Sequence, residues 1–167
     1  NPIGIHTDNH RITSESFSPK YLASNIIRNV SLNLTLPNKS LNENLRKIIK
    51  KSHNILNISI DDPINTFGKF YVYFNLYESH APNTIHFLLI IFLLIISSFI
   101  KLNNNLYKFL FAITVGFFLF SLLLKWQPTG NRLILPLFVI SSVFFAISLE
   151  NLKNIFFKNL IILILFL

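Results

Sequence analysis

The second half of the chain is a series of long apolar runs separated by short polar links, and this pattern limits the possible folds more than any other feature. The runs occupy residues 85–100, 106–124, 133–149 and 155–167, and Glu150 is the one acidic residue in this half. Sixteen helical residues extend about 24 Å, a little less than the roughly 30 Å of a bilayer core. We therefore predict about four membrane-spanning helices, the last of them truncated.

The polar links predict how these helices are oriented. Their sequences are "KLNNN", "KWQPTGNR" and "ENLKN", which are short enough to make consecutive helices antiparallel. The first and third links with their flanks hold four lysines, whereas the middle link holds Lys125 and Arg132. Cytoplasmic links carry the excess of Lys and Arg, so we predict that the middle link and residues 1–84 share the outer side.

Residues 1–84 form a polar segment, which we predict to be small, mostly helical and extracytoplasmic, so that the fold class is mainly α. A first helix is predicted at "SPKYLASNIIRNVSLNL", with Ser18 as the N-cap and Pro19 as the first helical residue. Its apolar residues recur every four positions, which predicts one apolar face. That face comprises Leu22, Ile26, Val30 and Leu34.

A second helix and a short strand are predicted further along the polar segment. In "SLNENLRKIIKKSHNIL", Ser40 and Glu43 have the spacing of a capping box. After a turn at "DDPINTFG", the alternation in "KFYVYFN" is typical of a strand. The predicted apolar face of the helix comprises Leu41, Leu45, Ile48, Ile49, Ile55 and Leu56.

The composition argues against several classes of function. The net charge of +8 is compatible with binding a polyanion, but a nucleic-acid binder does not need four apolar runs. Basic residues near a bilayer anchor helices or contact lipid headgroups. The chain has no cysteine, so it has neither a disulfide framework nor a thiolate metal site. Membrane lipid is the expected partner, and nucleic acid is not.

Histidine and acidic residues occur in two groups. Glu78, His80 and His86 form one group, and His6, Asp8 and His10 the other, but neither spacing matches a common zinc motif. We therefore predict no metal site and no cofactor, and a divalent cation is the alternative for either group.

Several motifs together resemble one family. The link "KWQPTGNRLILPLFV" resembles "KWQPW-x-SRL-x-LPLFV" of bacterial integral-membrane glycosyltransferases of the GT-C type. These enzymes are related to the protein O-mannosyltransferases and the lipid A aminoarabinose transferases. "SPKYLASNIIRN", "DDPINT" and "ESHAPNTIHFLLI" resemble the family's "SPRYLxSNxIRN", "NDPxTT" and "HEDYAGNPLHLLLI". The matches follow the family's order from about residue 18 to residue 146, with Thr129 and Asn131 standing where the link motif has Trp and Ser.

The resemblance implies a mechanism. A polyprenyl-phosphate sugar would bind with its lipid among the helices and its phosphate at the outer face of a bacterial inner membrane. The sugar would pass to an extracytoplasmic acceptor, with an Asp from an earlier outer loop as the base. No Asp of this chain matches that base, so we expect this chain to be inactive alone and to require a missing N-terminal part of the same protein. Matched positions make Glu78, Asn83 and His86 possible contributors.

The middle link also has the chemistry that a lipid phosphate needs. Arg132 is a permanently charged, bidentate donor, Lys125 adds a second positive charge, and Trp126 suits an interface where its ring is buried and its N–H is hydrated. Lys, Trp and Arg also anchor many spans that bind no ligand, so anchoring remains open.

A non-catalytic multi-pass membrane protein, such as a transporter piece or an assembly subunit, is the alternative function. Transporters often place ionisable groups at the membrane midplane, and the first three predicted spans have none well inside.

Overall fold

The computed structural model describes residues 12–75, 81–97, 104–150, 158, 159 and 163, and it is mainly helical. No strand forms among the described residues, whose β pairing is limited to two isolated bridges. The described helices are α1 (Pro19–Leu32), α2 (Lys39–Leu56), α3 (Thr84–Ser97), α4 (Asn104–Leu123) and α5 (Gly130–Glu150).

The predicted start of α1 is confirmed, and the most deeply buried residues of this helix are polar. Ser18 is the N-cap and Pro19 begins the helix. The apolar stripe is only half-buried, whereas polar side chains of the helix are buried. Asn25, Arg28 and Asn29 donate to carbonyl or hydroxyl groups on neighbouring segments. Ser24 contacts the His53 ring, and Ser31 donates to a carbonyl of its own helix. These hydrogen bonds offset the cost of burying polar groups. The buried polar residues are Ser24, Asn25, Arg28, Asn29 and Ser31.

Helix α2 begins earlier than the predicted capping box. Asn38 is the N-cap, and its side chain accepts a hydrogen bond from Leu41 N at 3.1 Å. Ser40 therefore lies inside the helix, and its predicted role as N-cap is wrong. The helix ends at Leu56, because Asn57 adopts the left-handed conformation with φ 52°.

The predicted apolar face of α2 is buried only in part. Ile49 is 2% exposed, whereas Leu41, Ile48 and Ile55 are exposed at 50–73%. Ile49 packs in a core cluster with Leu32, Phe70 and Trp126, and Leu45 lies against this cluster.

The strand predicted at residues 69–75 does not form. The Phe70 amide donates to Asp61 Oδ1 at 2.7 Å instead of to a neighbouring strand. The Phe70 ring still lies in the core. The alternation in the sequence therefore indicates a buried side chain, although no strand-to-strand hydrogen bonds form.

The apolar half forms helices near the predicted positions. Helix α4 is within two residues of the second predicted run, and α5 begins at Gly130, so Arg132 lies in its first turn. Both helices are long and apolar enough to cross a membrane. Helix α3 begins one residue before the first run, whereas residues 98–100 and most of the fourth run, 155–167, lie outside the described residues.

Helix α5 packs against both α4 and α3. A Cβ at Gly116 would lie 3.1 Å from a methyl group of Leu137, so glycine permits α4 and α5 to approach closely. The rings of Phe87 and Phe138 meet edge to face at 6.5 Å between α3 and α5. A second core cluster of Leu89, Leu106, Phe144 and Leu149 lies among these helices.

Candidate functional site

The residues that follow α4 are held between two parts of the polar segment. On one side, Ser14 N donates to Leu123 O and Lys125 N donates to Ile12 O, both at 2.8 Å. On the other side, Trp126 N donates to Asn65 O at 2.9 Å, and Phe67 N donates to Trp126 O at 2.7 Å. The link "KWQPTGNR" and the polar segment therefore lie at the same end of the apolar helices.

The side chain of Lys125 contributes to this docking. Its ammonium group forms an ion pair with Glu15 and donates to Pro63 O at 2.6 Å. The Lys125 side chain is only 7% exposed, whereas that of Glu15 is 59% exposed. The structure thus gives Lys125, predicted as a phosphate contact, two protein partners.

Trp126 belongs to the core of the polar segment. Its ring is 1% exposed and packs edge to face against Phe70 at 4.9 Å and Tyr71 at 5.9 Å. The indole N–H is buried and has no hydrogen-bond partner among the residues that the structure describes. The prediction of a hydrated N–H at Trp126 is therefore wrong, because the ring lies in the core cluster with Leu32, Ile49 and Phe70.

Polar residues of α1 cap the end of α4. Asn25 Nδ2 donates to Ser121 O at 3.0 Å and to Leu124 O at 3.1 Å, and Asn29 Nδ2 donates to Ser121 Oγ at 3.1 Å. The last carbonyls of a helix have no partner within it, so Asn25 supplies donors that α4 lacks. This capping fixes α1 across the end of an apolar helix.

Arg28 joins α1 to the turn after α2. Its guanidinium donates to Asn25 Oδ1, Ser59 O and Ile60 O at 2.9–3.3 Å, and the side chain is completely buried. Burial lowers the pKa of Arg28 to about 10, against the opposing effect of the Asp62 and Asp61 carboxylates. Arg28 remains charged at neutral pH and holds two carbonyls in place.

His53 and Ser24 form a buried contact between α2 and α1. His53 Nδ1 lies 2.9 Å from Ile49 O, which can only accept, so Nδ1 carries the proton. Nε2, at 2.9 Å from Ser24 Oγ, then accepts the hydroxyl hydrogen. Burial is the main cause that lowers the pKa of His53, and the positive charge of Arg28 adds to it. The pair is 0–1% exposed, which favours a packing role.

Arg132 is exposed in the first turn of α5, and its backbone N–H donates to Thr129 O at 3.1 Å. Next to it, Asn131 Nδ2 donates to Ala81 O at 3.2 Å, which ties the start of α5 to the residues before α3. Of the predicted residues, Arg132 is the cation that the fold presents at the surface of this link.

The other predicted contributors lie around the start of α3. Asn83 N donates to Asn33 Oδ1 at 3.2 Å, and His86 is exposed in the first turn of the helix. Glu78 and His80 lie outside the described residues. No cluster of three metal-ligating residues occurs among the described residues, and the alternative of a divalent cation at Glu78 and His80, like the group of His6, Asp8 and His10, falls outside them.

The polar face of α1 was missed at the level of sequence. Ser24, Asn25, Arg28 and Asn29 occupy positions i, i+1, i+4 and i+5, which share one side of a helix. This spacing was the signal in the sequence that could have indicated a buried polar face. A face exposed to solvent does not require two amides and a guanidinium so close together.

Searches against protein-family models, curated proteins and solved structures find no match for this chain.

Proposed function

We propose that this chain is part of a multi-pass glycosyltransferase of the GT-C type in a bacterial inner membrane. It would contribute to the transfer of a sugar from a polyprenyl-phosphate donor to an acceptor on the outer side, where the polar segment lies. The observation that carries this proposal is Arg132, exposed in the first turn of an apolar helix and beside the docked polar segment. The ordered motif resemblance supplies the reaction class.

The surface of the apolar helices supports a position in a membrane. Phe111 on α4 is 70% exposed and Val139 on α5 is 62% exposed, among many other exposed apolar side chains on these helices. Such a continuous apolar surface is unfavourable in water and favourable in lipid. Two helices of this kind, connected by a link at one end, are suited to cross a bilayer in opposite directions.

An apolar cavity gives a place for the lipid part of the donor. It has a volume of about 220 Å³ and lies among α3, α4 and α5, with Val30 of α1 at its edge. Ile134 lines it and lies two residues after Arg132, about 3 Å along the axis of α5, so the cavity lies near the level of the helix turn that carries Arg132. An arginine binds phosphate through two parallel hydrogen bonds, which a lysine cannot reproduce.

The proposed role of Arg132 is tested by transfer from a polyprenyl-phosphate sugar, measured in membranes that contain the glycosyltransferase of which we propose this chain to be part. We expect Arg132→Lys to lower transfer about tenfold or more, because a charge-assisted hydrogen bond contributes roughly 1.5 kcal/mol. Lys108→Gln changes an exposed cation near the start of α4 and serves as the control. Unchanged transfer by Arg132→Lys, with normal insertion, would reject the phosphate contact.

A further inference from the structure

A second cavity lies in the polar segment, between the first half of α2 and residues 72–74. Its volume is about 430 Å³, within the roughly 300–1,000 Å³ of small-molecule pockets. None of its lining residues belongs to the link that contains Arg132. The chemically important lining residues are Lys39, Glu43, Arg46, Tyr73 and Phe74.

One wall of this cavity is cationic. Lys39, Glu43 and Arg46 are at positions i, i+4 and i+7 of α2, so they share one face, and all three are exposed. Within the part of the chain that the structure describes, neither Lys39 nor Arg46 has an ion-pair partner. One carboxylate beside two cations leaves an excess positive charge on this wall.

The base and the opposite wall of the cavity are held in place. Asn42 accepts from Leu36 N at 3.1 Å and donates to Leu36 O at 2.8 Å, so its amide is already engaged. The Tyr73 ring packs against Tyr71 at 4.7 Å, and its hydroxyl accepts from Asn75 Nδ2 at 3.2 Å. The Tyr73 side chain is 44% exposed, so an ordered aromatic ring is accessible beside the two cations.

We propose that this cavity binds a sugar that carries an anionic group, either a phosphate or a carboxylate. Arg46 and Lys39 bind the anion through charge-assisted hydrogen bonds, and Glu43 accepts from sugar hydroxyls. The rings of Tyr73 and Phe74 pack against the apolar face of the sugar. The site is separate from Arg132, and its binding does not depend on the proposed transferase activity.

The test is a binding titration of the full chain in nanodiscs of phosphatidylcholine, with glucose 1-phosphate, glucose and inorganic phosphate as separate probes. We expect glucose 1-phosphate to bind at least about tenfold more tightly than glucose or inorganic phosphate, because it uses both walls. Arg46→Gln should weaken its binding about tenfold. Tyr73→Ala should weaken glucose 1-phosphate while leaving inorganic phosphate unchanged.

Lys50→Gln is the matched control, because it removes the same charge from an exposed position of α2 that does not line the cavity. Its effect should stay within about twofold, as expected for screened surface charges. Equal effects of Arg46→Gln and Lys50→Gln, equal binding of phosphate and glucose 1-phosphate, or no binding at millimolar concentrations would overturn the proposal. If nanodiscs that contain phosphatidylinositol compete with glucose 1-phosphate, the ligand is a lipid headgroup. If they do not compete, the ligand is a soluble sugar. Either result supports the binding site itself.

Discussion

Trp126 is the residue at which the polar segment and the apolar helices meet. Its backbone pairs with Asn65 and Phe67, and its ring is enclosed by Phe70 and Tyr71. It follows α4 by three residues, so the position of the ring fixes the polar segment relative to the end of this helix. The Trp126 ring therefore contributes to the packing of the polar segment against the link, and it does not serve as an anchor at a membrane interface.

Trp126 is the only tryptophan, so its fluorescence reports on this contact directly. Because the ring is 1% exposed, we expect a blue-shifted emission that aqueous iodide does not quench. Tyr71→Ala opens one side of the ring and should shift the emission to the red, whereas Tyr107→Ala, near the start of α4, should not. Quenching of the native protein to the level of free tryptophan would contradict the enclosed ring.

His53 makes the stability of the α1–α2 contact depend on pH. The pKa of His53 is lowered from 6.5 because the neutral form is buried against Ser24 and near the charge of Arg28. Its contribution to the free energy of unfolding is therefore complete above pH 6.5 and is lost as the pH falls towards the lower folded-state value. We expect thermal unfolding to shift to lower temperature over this acidic range.

His53→Gln should remove this part of the pH dependence, as measured by unfolding at pH 7.5 and pH 5. The control is His86→Gln, which changes an exposed histidine in α3 and should leave the dependence intact. An identical acid shift in wild type and His53→Gln would show that another group is responsible.

At the scale of elements, the start of α2 can be tested, because either Asn38 or Ser40 could be its N-cap. Asn38→Ala should reduce the free energy of unfolding by about 1 kcal/mol, because it removes the acceptor of Leu41 N. Ser40→Ala changes the second residue of the helix, two positions after the N-cap, and should have little effect. Chemical unfolding followed by circular dichroism compares the two, and a larger loss for Ser40→Ala would restore the capping box.

Sequence patterns correctly predicted those helices whose start and length depend on residues that are close together in the sequence. Ser18 and Pro19 start α1 as expected, and the apolar runs give α4 and α5 to within a few residues. The strand at residues 69–75 was wrong because a strand needs a neighbour, and Asp61 takes the Phe70 amide instead. Pairing partners of this kind are not encoded in the alternation itself.

The candidate site was less predictable, because its roles depend on contacts between distant segments. Lys125 meets Glu15 across 110 residues, and Asn25 meets Ser121 across 96. The sequence indicated that the link is rich in functional groups. It did not show that Lys125 is engaged by Glu15 and Pro63, or that Trp126 is buried in the core. Arg132, in the first turn of α5, is exposed.

At the scale of the whole molecule, the polar segment and the link "KWQPTGNR" must lie on the same side of any membrane that α4 crosses. The chain has no cysteine, so single cysteines are clean probes. Ser40→Cys in α2 and Thr129→Cys in the link should react with an impermeant thiol reagent from one side. Asn104→Cys, at the other end of α4, should react with this reagent only after the membrane has been permeabilised. Labelling of all three from the same side would exclude α4 as a span.

The most direct measurement of the central claim is equilibrium binding of a polyprenyl-phosphate sugar to this chain in nanodiscs. We predict saturable binding that Arg132→Gln weakens about tenfold or more, since a charged hydrogen-bond donor to the phosphate is lost. Lys108→Gln, at the opposite end of α4, should bind like the wild type. Equal affinity of wild type and Arg132→Gln, or no preference for the phosphorylated lipid over the free polyprenol, would contradict a donor-phosphate site at Arg132.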